Sequence, residues 1–263
     1  SAMAGDGGPQ VRGARAHVQS VWLWILGIWD PSHNLNLYMK DIGKLFKELL
    51  SRVSGIANYF GKSNYGTWHL TAECEKQKIS QGIESTTDTR FSSAYYQALS
   101  VQRCMPAISK CYSDGNLSFN TAATKKLRVY IDPESDEHHQ FMRDLSKFVH
   151  LLEPGANAIK TLEGSTVNCA DVFYCWVAIA YQQESVFASR SSIERFRLDV
   201  LNAYNRRFNQ MMSRSSHKIF LIGYFLHPCK CVIVSILTGI LICVLSSISK
   251  IWWSSPEHAA TWC

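Results

Sequence analysis

The chain has 263 residues, of which 46% are hydrophobic and 18% charged, and its 27 basic and 21 acidic side chains give a formal net charge of +6. This length suits one large domain or two small ones, and the apolar content excludes a wholly disordered chain. Because only one stretch approaches spanning length, a polytopic membrane protein is excluded as well. The modest positive charge permits an anionic partner such as nucleic acid or a lipid surface.

The nine cysteines include no Cys-x-x-Cys pair. Disulfide frameworks and zinc ribbons need cysteines paired at close spacing, so this usage indicates a reducing, intracellular compartment. His227, Cys229 and Cys231 come nearest to a metal-ligand cluster, but a fourth ligand at plausible spacing is missing. The chain also contains no GxGxxG, Walker, GxSxG or HExxH motif, so the sequence predicts no metal site and no nucleotide-binding or hydrolase site.

The N-terminal segment 1–20 is rich in Gly, Ala and Arg and shows no period, which predicts a disordered or atypical N-terminus. The apolar run 21–29 follows and ends at Asp30 and Pro31. A buried strand that ends at an acidic turn is the favoured interpretation of this run. A short signal sequence is the alternative, but no small-residue cleavage site follows the run.

From Asn34 to Phe60 apolar residues recur at helical spacing, with Lys40, Lys44 and Lys47 between them. No run between 34 and 228 alternates as a strand, so the middle of the chain is predicted to be mainly α. Pro154 and Gly155 are expected to end one of its helices. The further helices are predicted over 65–81, 89–111, 118–130, 137–152, 169–187 and 191–212.

The C-terminal segment 229–263 differs from the rest of the chain, because 231–249 carries no charge and is dominated by Val, Ile and Leu. Its length is at the lower limit for a single transmembrane helix, and Trp252 and Trp253 would suit the membrane interface. The alternatives are a buried β-rich segment or a foreign sequence joined to the domain. A membrane-anchored protein with a cytoplasmic helical domain is therefore one prediction for this chain.

Two short motifs contain residue types that occur in catalytic or binding sites. In the first, Asp30 and His33 lie three residues apart at a strand-to-helix junction and are followed by the sequence Leu-Asn-Leu at 35–37. In the second, Thr-Arg-Phe-Ser at 89–92, the cation of Arg90 lies beside the ring of Phe91 at a helix start. A cation beside an aromatic ring can bind phosphate and stack on a base.

These motifs, in this order, resemble those of the hAT superfamily of transposases, in particular fungal hAT-like elements. The family has a Cys/Asp-x-x-His motif followed by a Leu-Asn-Leu helix, and downstream a Thr-Arg-Trp-Asn/Ser motif, which here has Phe91 in place of Trp. The segments 40–46, 103–108, 153–164 and 220–228 also resemble this lineage. The resemblance covers about residues 29–228.

The resemblance implies a ribonuclease-H-like core with a helical domain inserted into it, and DNA cleavage by two Asp and one Glu that hold Mg²⁺. It divides the chain into the N-terminus, a partial ribonuclease-H-like strand-helix unit with the start of the insertion over 21–112, the helical insertion domain over 113–228, and the C-terminal segment. It also implies a nuclear location. The expected nucleic-acid-binding residues are Arg90, Phe91, Arg103, Arg206 and Arg207.

The departures from the family concern the catalytic acids. The second Asp is expected fifteen to twenty residues before Asp30, where this chain has Gly13, Ala14 and Arg15. The first Asp would lie upstream of the chain and the Glu in a C-terminal segment that the sequence does not contain. The sequence therefore predicts a truncated, catalytically inactive transposase-derived protein with residual capacity to bind nucleic acid, and no cofactor of its own.

Overall fold

The computed structural model describes residues 2–5, 8–85, 91–189 and 191–227, and within this part the protein is mainly helical. Two strands are described, β1 (Ala2–Gly5) and β2 (Leu26–Trp29). Short 3-10 helices cover Lys44–Phe46, Ser191–Phe196 and Ser216–Lys218. The helices are α1 (Pro9–Val21), α2 (Pro31–Gly43), α3 (Lys47–Lys62), α4 (Asn64–Lys76), α5 (Ser92–Ser113), α6 (Ala122–Lys125), α7 (Arg128–Ile131), α8 (Asp136–Leu162), α9 (Cys169–Ser189), α10 (Arg197–Arg214) and α11 (Ile219–Leu226).

The described residues divide into two compact units. The first unit comprises the described residues within the segments 1–32, 160–185 and 208–263, and the second comprises those within 33–159 and 186–207. These units follow contacts in three dimensions, whereas the sequence boundaries at 112 and 228 follow motifs and composition. The domain boundaries at 112 and 228 therefore remain predictions from the sequence.

In the first unit, β1 and β2 pair in parallel, from Ala2 opposite Leu26 to Gly5 opposite Trp29, and α1 connects them. The expectation of disorder in the N-terminal segment is therefore corrected for the described residues 2–5 and 8–20. Pro9 begins α1, where its missing N–H is not needed, and none of the residues of α1 is buried. Val11, Val18 and Val21 recur at helical spacing, and Val11 and Val18 are half-buried, but this short apolar pattern is diluted by the Gly, Ala and Arg residues around it.

The expected strand over 21–29 is also corrected, because only Leu26–Trp29 is extended and Val21 belongs to α1. The unpaired edge of β2 is covered by the segment that follows α10. The N–H of Gly27 donates to Ser216 Oγ at 3.1 Å, and the N–H of Trp29 donates to the buried Ser215 Oγ at 3.2 Å. Side-chain hydroxyls thus satisfy backbone groups that a third strand would otherwise bond.

The helices of the first unit pack around aromatic side chains. The ring of Phe173 on α9 lies 5.0 Å from the ring of Tyr224 on α11. The two helices approach closely at Gly223, where a Cβ atom would lie 3.0 Å from Cys169 Cβ. The absence of a side chain at Gly223 therefore sets how near α11 can pack to α9.

In the second unit the predicted helix over 34–60 is two helices, α2 and α3, joined by the 3-10 turn Lys44–Phe46. A 3-10 turn has three residues per turn and so rotates the residues that follow it relative to the buried face of α2. Leu45 is therefore exposed, although its spacing from the other apolar residues predicts that it is buried. Phe46 is buried, and its ring packs 5.4 Å from Phe148 and 4.9 Å from Phe196. The turn therefore directs one apolar side chain into the core and the preceding one to solvent.

The expected end of a helix at Pro154 and Gly155 is wrong, since α8 continues to Leu162. Both residues are buried within the helix. A Cβ atom on Gly155 would lie 3.0 Å from Met39 Cγ, so the glycine permits close packing between α8 and α2. Tertiary packing thus outweighs the local tendency of Pro and Gly to end a helix.

The prediction of a mainly α chain is confirmed, and the described part of 34–227 contains no strand. Among the described residues, no helix combines the length and apolar character needed to cross a bilayer. The candidate transmembrane segment 231–249 lies outside the described residues.

We expect Ser215→Ala to lower the free energy of unfolding by about 1–3 kcal/mol, because the buried N–H of Trp29 would lose its acceptor. Urea unfolding monitored by circular dichroism measures this difference. Ser213→Ala is the matched control, since Ser213 is exposed and its hydroxyl makes only a 3.5 Å contact with the Gln210 carbonyl. Equal stability of the two variants would contradict the role of Ser215 Oγ as the acceptor for the N–H of Trp29.

Candidate nucleic-acid interface

Helix α2 carries the first motif and lies in the core of the second unit. Its buried side chains follow helical spacing, and Leu35, Met39 and Ile42 are fully buried. Asn34 and Asp41 are polar but share this buried face, because they lie seven residues apart. Polar groups at core positions must be paired, so these two residues point to specific partners.

Asn34 and Asn36 connect α2 to distant segments of the chain. The amide Nδ2 of Asn34 donates to the carbonyl of Arg207 at 2.8 Å, while its buried Oδ1 has no hydrogen-bond partner. The Oδ1 atom of Asn36 accepts a hydrogen bond from the N–H of Ser92 at 3.1 Å. Asn36 thus satisfies a backbone donor in the first turn of α5, where the helix itself has no acceptor.

The structure brings the two sequence motifs together through this bond. Phe91, immediately before α5, is half-buried, and a Cβ atom on Gly43 would lie 2.0 Å from its Cζ atom. The tip of the Phe91 ring therefore fills the space above Gly43 at the end of α2. Thr89 and Arg90, the other half of the second motif, lie outside the described residues.

Asp41, the one acidic residue of α2, is paired with three basic side chains. Its Oδ2 atom lies 2.7 Å from Arg207 Nε and 2.8 Å from Arg206 Nη2, and its Oδ1 atom lies 2.8 Å from Lys44 Nζ. Burial by itself would raise the pKa of Asp41, but hydrogen bonds from Arg207, Lys44 and Arg206 outweigh it and lower the pKa to about 2. The carboxylate is therefore ionised at neutral pH.

The charges in this cluster do not balance, because three cations surround one carboxylate. The Asp41 side chain is 4% exposed and Arg207 is mostly buried, whereas Lys44 and Arg206 are 58% and 60% exposed. Two cationic groups are thus held at fixed positions on the surface by one buried anion. A guanidinium has five N–H donors and an ammonium three, so both retain donors for an external phosphate or carboxylate.

Two further exposed lysines lie within four residues of Lys44 in the chain. Lys40 is exposed one helical turn before Lys44, and Lys47 is exposed at the start of α3. We call Lys40, Lys44, Lys47 and Arg206 the basic face. In the sequence the three lysines lie between apolar positions, a pattern that by itself predicts no role for them. The missed signal is Asp41, an acid at a core position of an amphipathic helix.

Arg103, the remaining predicted nucleic-acid-binding residue, makes a different set of contacts. Its guanidinium donates to the carbonyls of Gln81 and Gly82 at 3.2 and 3.1 Å, and it lies 3.8 Å from Glu84. The hydroxyl of Ser100 accepts from the N–H of Glu84 on the same loop. Arg103 therefore stabilises the loop that precedes the second motif.

Asp30 and His33 occupy the end of β2 and the first turn of α2. The N–H of Asp30 donates to the Gly5 carbonyl at 3.0 Å, which extends the parallel ladder by one bond. Within the described residues, no group of three or more His, Cys, Asp or Glu side chains is arranged to hold a metal ion.

Comparison with known protein families, with curated proteins and with solved structures finds no match to this chain.

We expect the Asp41 cluster to make stability depend on acid pH. Because the folded pKa is about 2 and the ordinary value is 3.8, the stabilisation is present above about pH 4 and is lost as the pH falls through about 2. The difference corresponds to roughly 2 kcal/mol. Urea unfolding at a series of pH values should show this loss in the unaltered chain and not in Asp41→Asn.

Arg207→Gln is the accompanying variant, since it removes the shortest of the three ion pairs. We expect it to reduce the same pH dependence in part. If the free energy of unfolding fell at acid pH in both variants as it does in the unaltered chain, Asp41 would not be the source of this stabilisation.

Proposed function

We propose that this chain is a hAT-transposase-derived protein that binds nucleic acid through the basic face and does not cleave it. The observation that supports binding is the cluster at Asp41. It positions Lys44 and Arg206, exposed and with unused donors, at hydrogen-bond distance from one buried carboxylate. Phosphate is the commonest partner for such a surface in proteins that bind nucleic acid.

Pre-organisation is the physical reason why this cluster favours binding. A lysine or arginine that is free in solution loses rotamer entropy when it contacts a ligand. The carboxylate of Asp41 already restrains both side chains, so less entropy is lost when phosphate binds. Since one negative charge offsets only one of the three positive charges, the cluster keeps a net charge of +2 toward the ligand.

The contact between the two motifs also agrees with a hAT-derived origin. Segments more than fifty residues apart in the chain, each similar to a family motif, meet through Asn36 and Ser92. The segment that precedes them in the chain, β1-α1-β2, is a parallel strand-helix-strand unit, which is compatible with the strand-helix unit that the resemblance implies. The ribonuclease-H-like assignment remains part of the proposal.

The proposed lack of cleavage rests on the position of the second catalytic Asp. The corresponding positions, Gly13, Ala14 and Arg15, lie in α1, which contains no acidic residue. Two-metal cleavage requires several convergent carboxylates to hold the ions, and Asp30 alone cannot supply them.

We expect the full chain to bind a fluorescently labelled DNA duplex with an affinity that falls linearly in log[salt]. Lys44→Gln/Arg206→Gln should reduce the magnitude of the slope by about 2, because each lost phosphate contact removes roughly 0.9. Fluorescence anisotropy at several salt concentrations measures the slope. A charge-matched control is Lys125→Gln/Lys126→Gln, which changes two exposed lysines at the end of α6.

Binding without salt dependence would show that the chain does not bind DNA through phosphate contacts. The same loss of slope in both double variants would show that the phosphate contacts are not made specifically by Lys44 and Arg206.

We further expect the purified chain to leave supercoiled plasmid intact in the presence of Mg²⁺ or Mn²⁺, because the carboxylates for two-metal chemistry are missing. Agarose electrophoresis of the plasmid detects nicking. An Asp30→Asn variant purified in parallel separates a contaminating nuclease from the chain itself. Nicking that disappears in this variant would overturn the proposed lack of cleavage.

A further inference from the structure

The connection between α1 and β2 is a four-residue turn with an unusual composition. The N–H of Trp22 donates to the Val18 carbonyl at 2.8 Å and so ends α1. The N–H of Ile25 donates to the Trp22 carbonyl at 3.0 Å and closes the turn. Leu23 and Trp24 therefore occupy its two central positions.

Central positions of tight turns usually hold Gly, Asn, Asp, Ser or Pro, which suit the backbone and remain in water. Here Leu23 is 85% exposed and Trp24 is 68% exposed, and the adjacent Val21 and Trp22 are exposed as well. We call Val21–Trp24 the apolar tip. A contiguous exposed apolar patch of this kind is typical of an interaction site, because single exposed apolar residues are common but grouped ones are rare.

Basic residues outnumber acidic ones in the two segments that pack against β2. The segment 8–30, which contains the tip, and the segment 208–227 together have four cations and one acidic residue, Asp30. The second segment lies against β2 through the hydrogen bonds from Gly27 and Trp29 to Ser216 and Ser215. The four cations are Arg12, Arg15, Arg214 and Lys218.

Two of these cations, Arg15 and Arg214, contact β2 directly. The guanidinium of Arg214 lies 4.6 Å from the centre of the Trp29 ring, and that of Arg15 donates to the Ile28 carbonyl at 2.8 Å. Arg12 is exposed on α1. The first unit therefore combines an exposed apolar turn with basic groups on the segments beside β2, and a partner that matches both features would be apolar and anionic.

We propose that the apolar tip inserts into the interfacial region of an anionic lipid surface. Tryptophan partitions to the boundary between headgroups and acyl chains, and leucine to the acyl side of that boundary. Basic residues near the surface add electrostatic attraction to anionic headgroups. This proposal does not rest on the nucleic-acid-binding function, and it uses residues other than the segment 231–249.

Leu23 distinguishes a lipid surface from nucleic acid as the partner. Tryptophan can stack on a base, but leucine has no π-face, and it is the most exposed residue of the tip. A stacking site would not require an aliphatic side chain at the point of greatest exposure.

Flotation of the full chain with vesicles tests the proposal. We expect stronger binding to phosphatidylcholine vesicles that contain phosphatidylserine than to phosphatidylcholine alone. Leu23→Ser/Trp24→Ser should lower the partition coefficient for the anionic vesicles at least about tenfold, equivalent to about 1.4 kcal/mol. The matched control is Leu198→Ser/Trp68→Ser, whose side chains are 65% and 66% exposed and should not change binding.

Arg12→Gln should lower binding to the anionic vesicles by about fivefold and leave binding to neutral vesicles unchanged. Circular dichroism of each variant confirms that its helical content is retained.

Three results would overturn the proposal. The unaltered chain could fail to float with anionic vesicles, or the tip variant could bind them as well as the unaltered chain does, which would assign binding to another segment. The tip variant could also lose affinity for single-stranded DNA while it keeps its affinity for vesicles, which would make the apolar tip a base-stacking site.

Discussion

The buried carboxylate of Asp41 is the interaction on which the second unit depends most. It joins two helices that are separated by more than 150 residues in the chain, because Arg206 and Arg207 of α10 both bond to this acid of α2. An ionised carboxylate in the core is unfavourable without partners, so the arrangement in which α10 supplies two arginines is favoured over one that leaves Asp41 unpaired. Asn34 strengthens the same connection through the carbonyl of Arg207.

The same carboxylate links folding to the proposed function. The bonds that stabilise Asp41 also restrain Lys44 and Arg206 at the surface, so one cluster contributes to packing and presents positive charge. Arg103 shows the contrast, since its donors are used by the backbone of the loop 81–84 and its contribution is to loop structure. Arginines that look equivalent in the sequence therefore differ in what their donors are available to bind.

The first unit shows how a short sheet can be completed by side chains. Two strands of four residues are insufficient for a stable sheet alone, and here α1 connects them while Ser215 and Ser216 satisfy the open edge of β2. The short strand leaves the preceding apolar residues outside the sheet. The exposed turn at Leu23 and Trp24 follows directly from where the strand begins.

The sequence by itself determined the mainly helical architecture, because apolar residues at helical spacing between Asn34 and Met212 must share a buried face whatever their partners are. It also identified the two motifs that meet at Asn36 and Ser92. Prediction from local patterns failed at α1, whose Val11 and Val18 are only half-buried, and at Pro154, where packing against other helices overrides the residue's own preference. Only the tertiary structure decided that Asp41 pairs with Arg206 and Arg207 and that Leu23 is exposed, because these outcomes depend on contacts with residues remote in the chain.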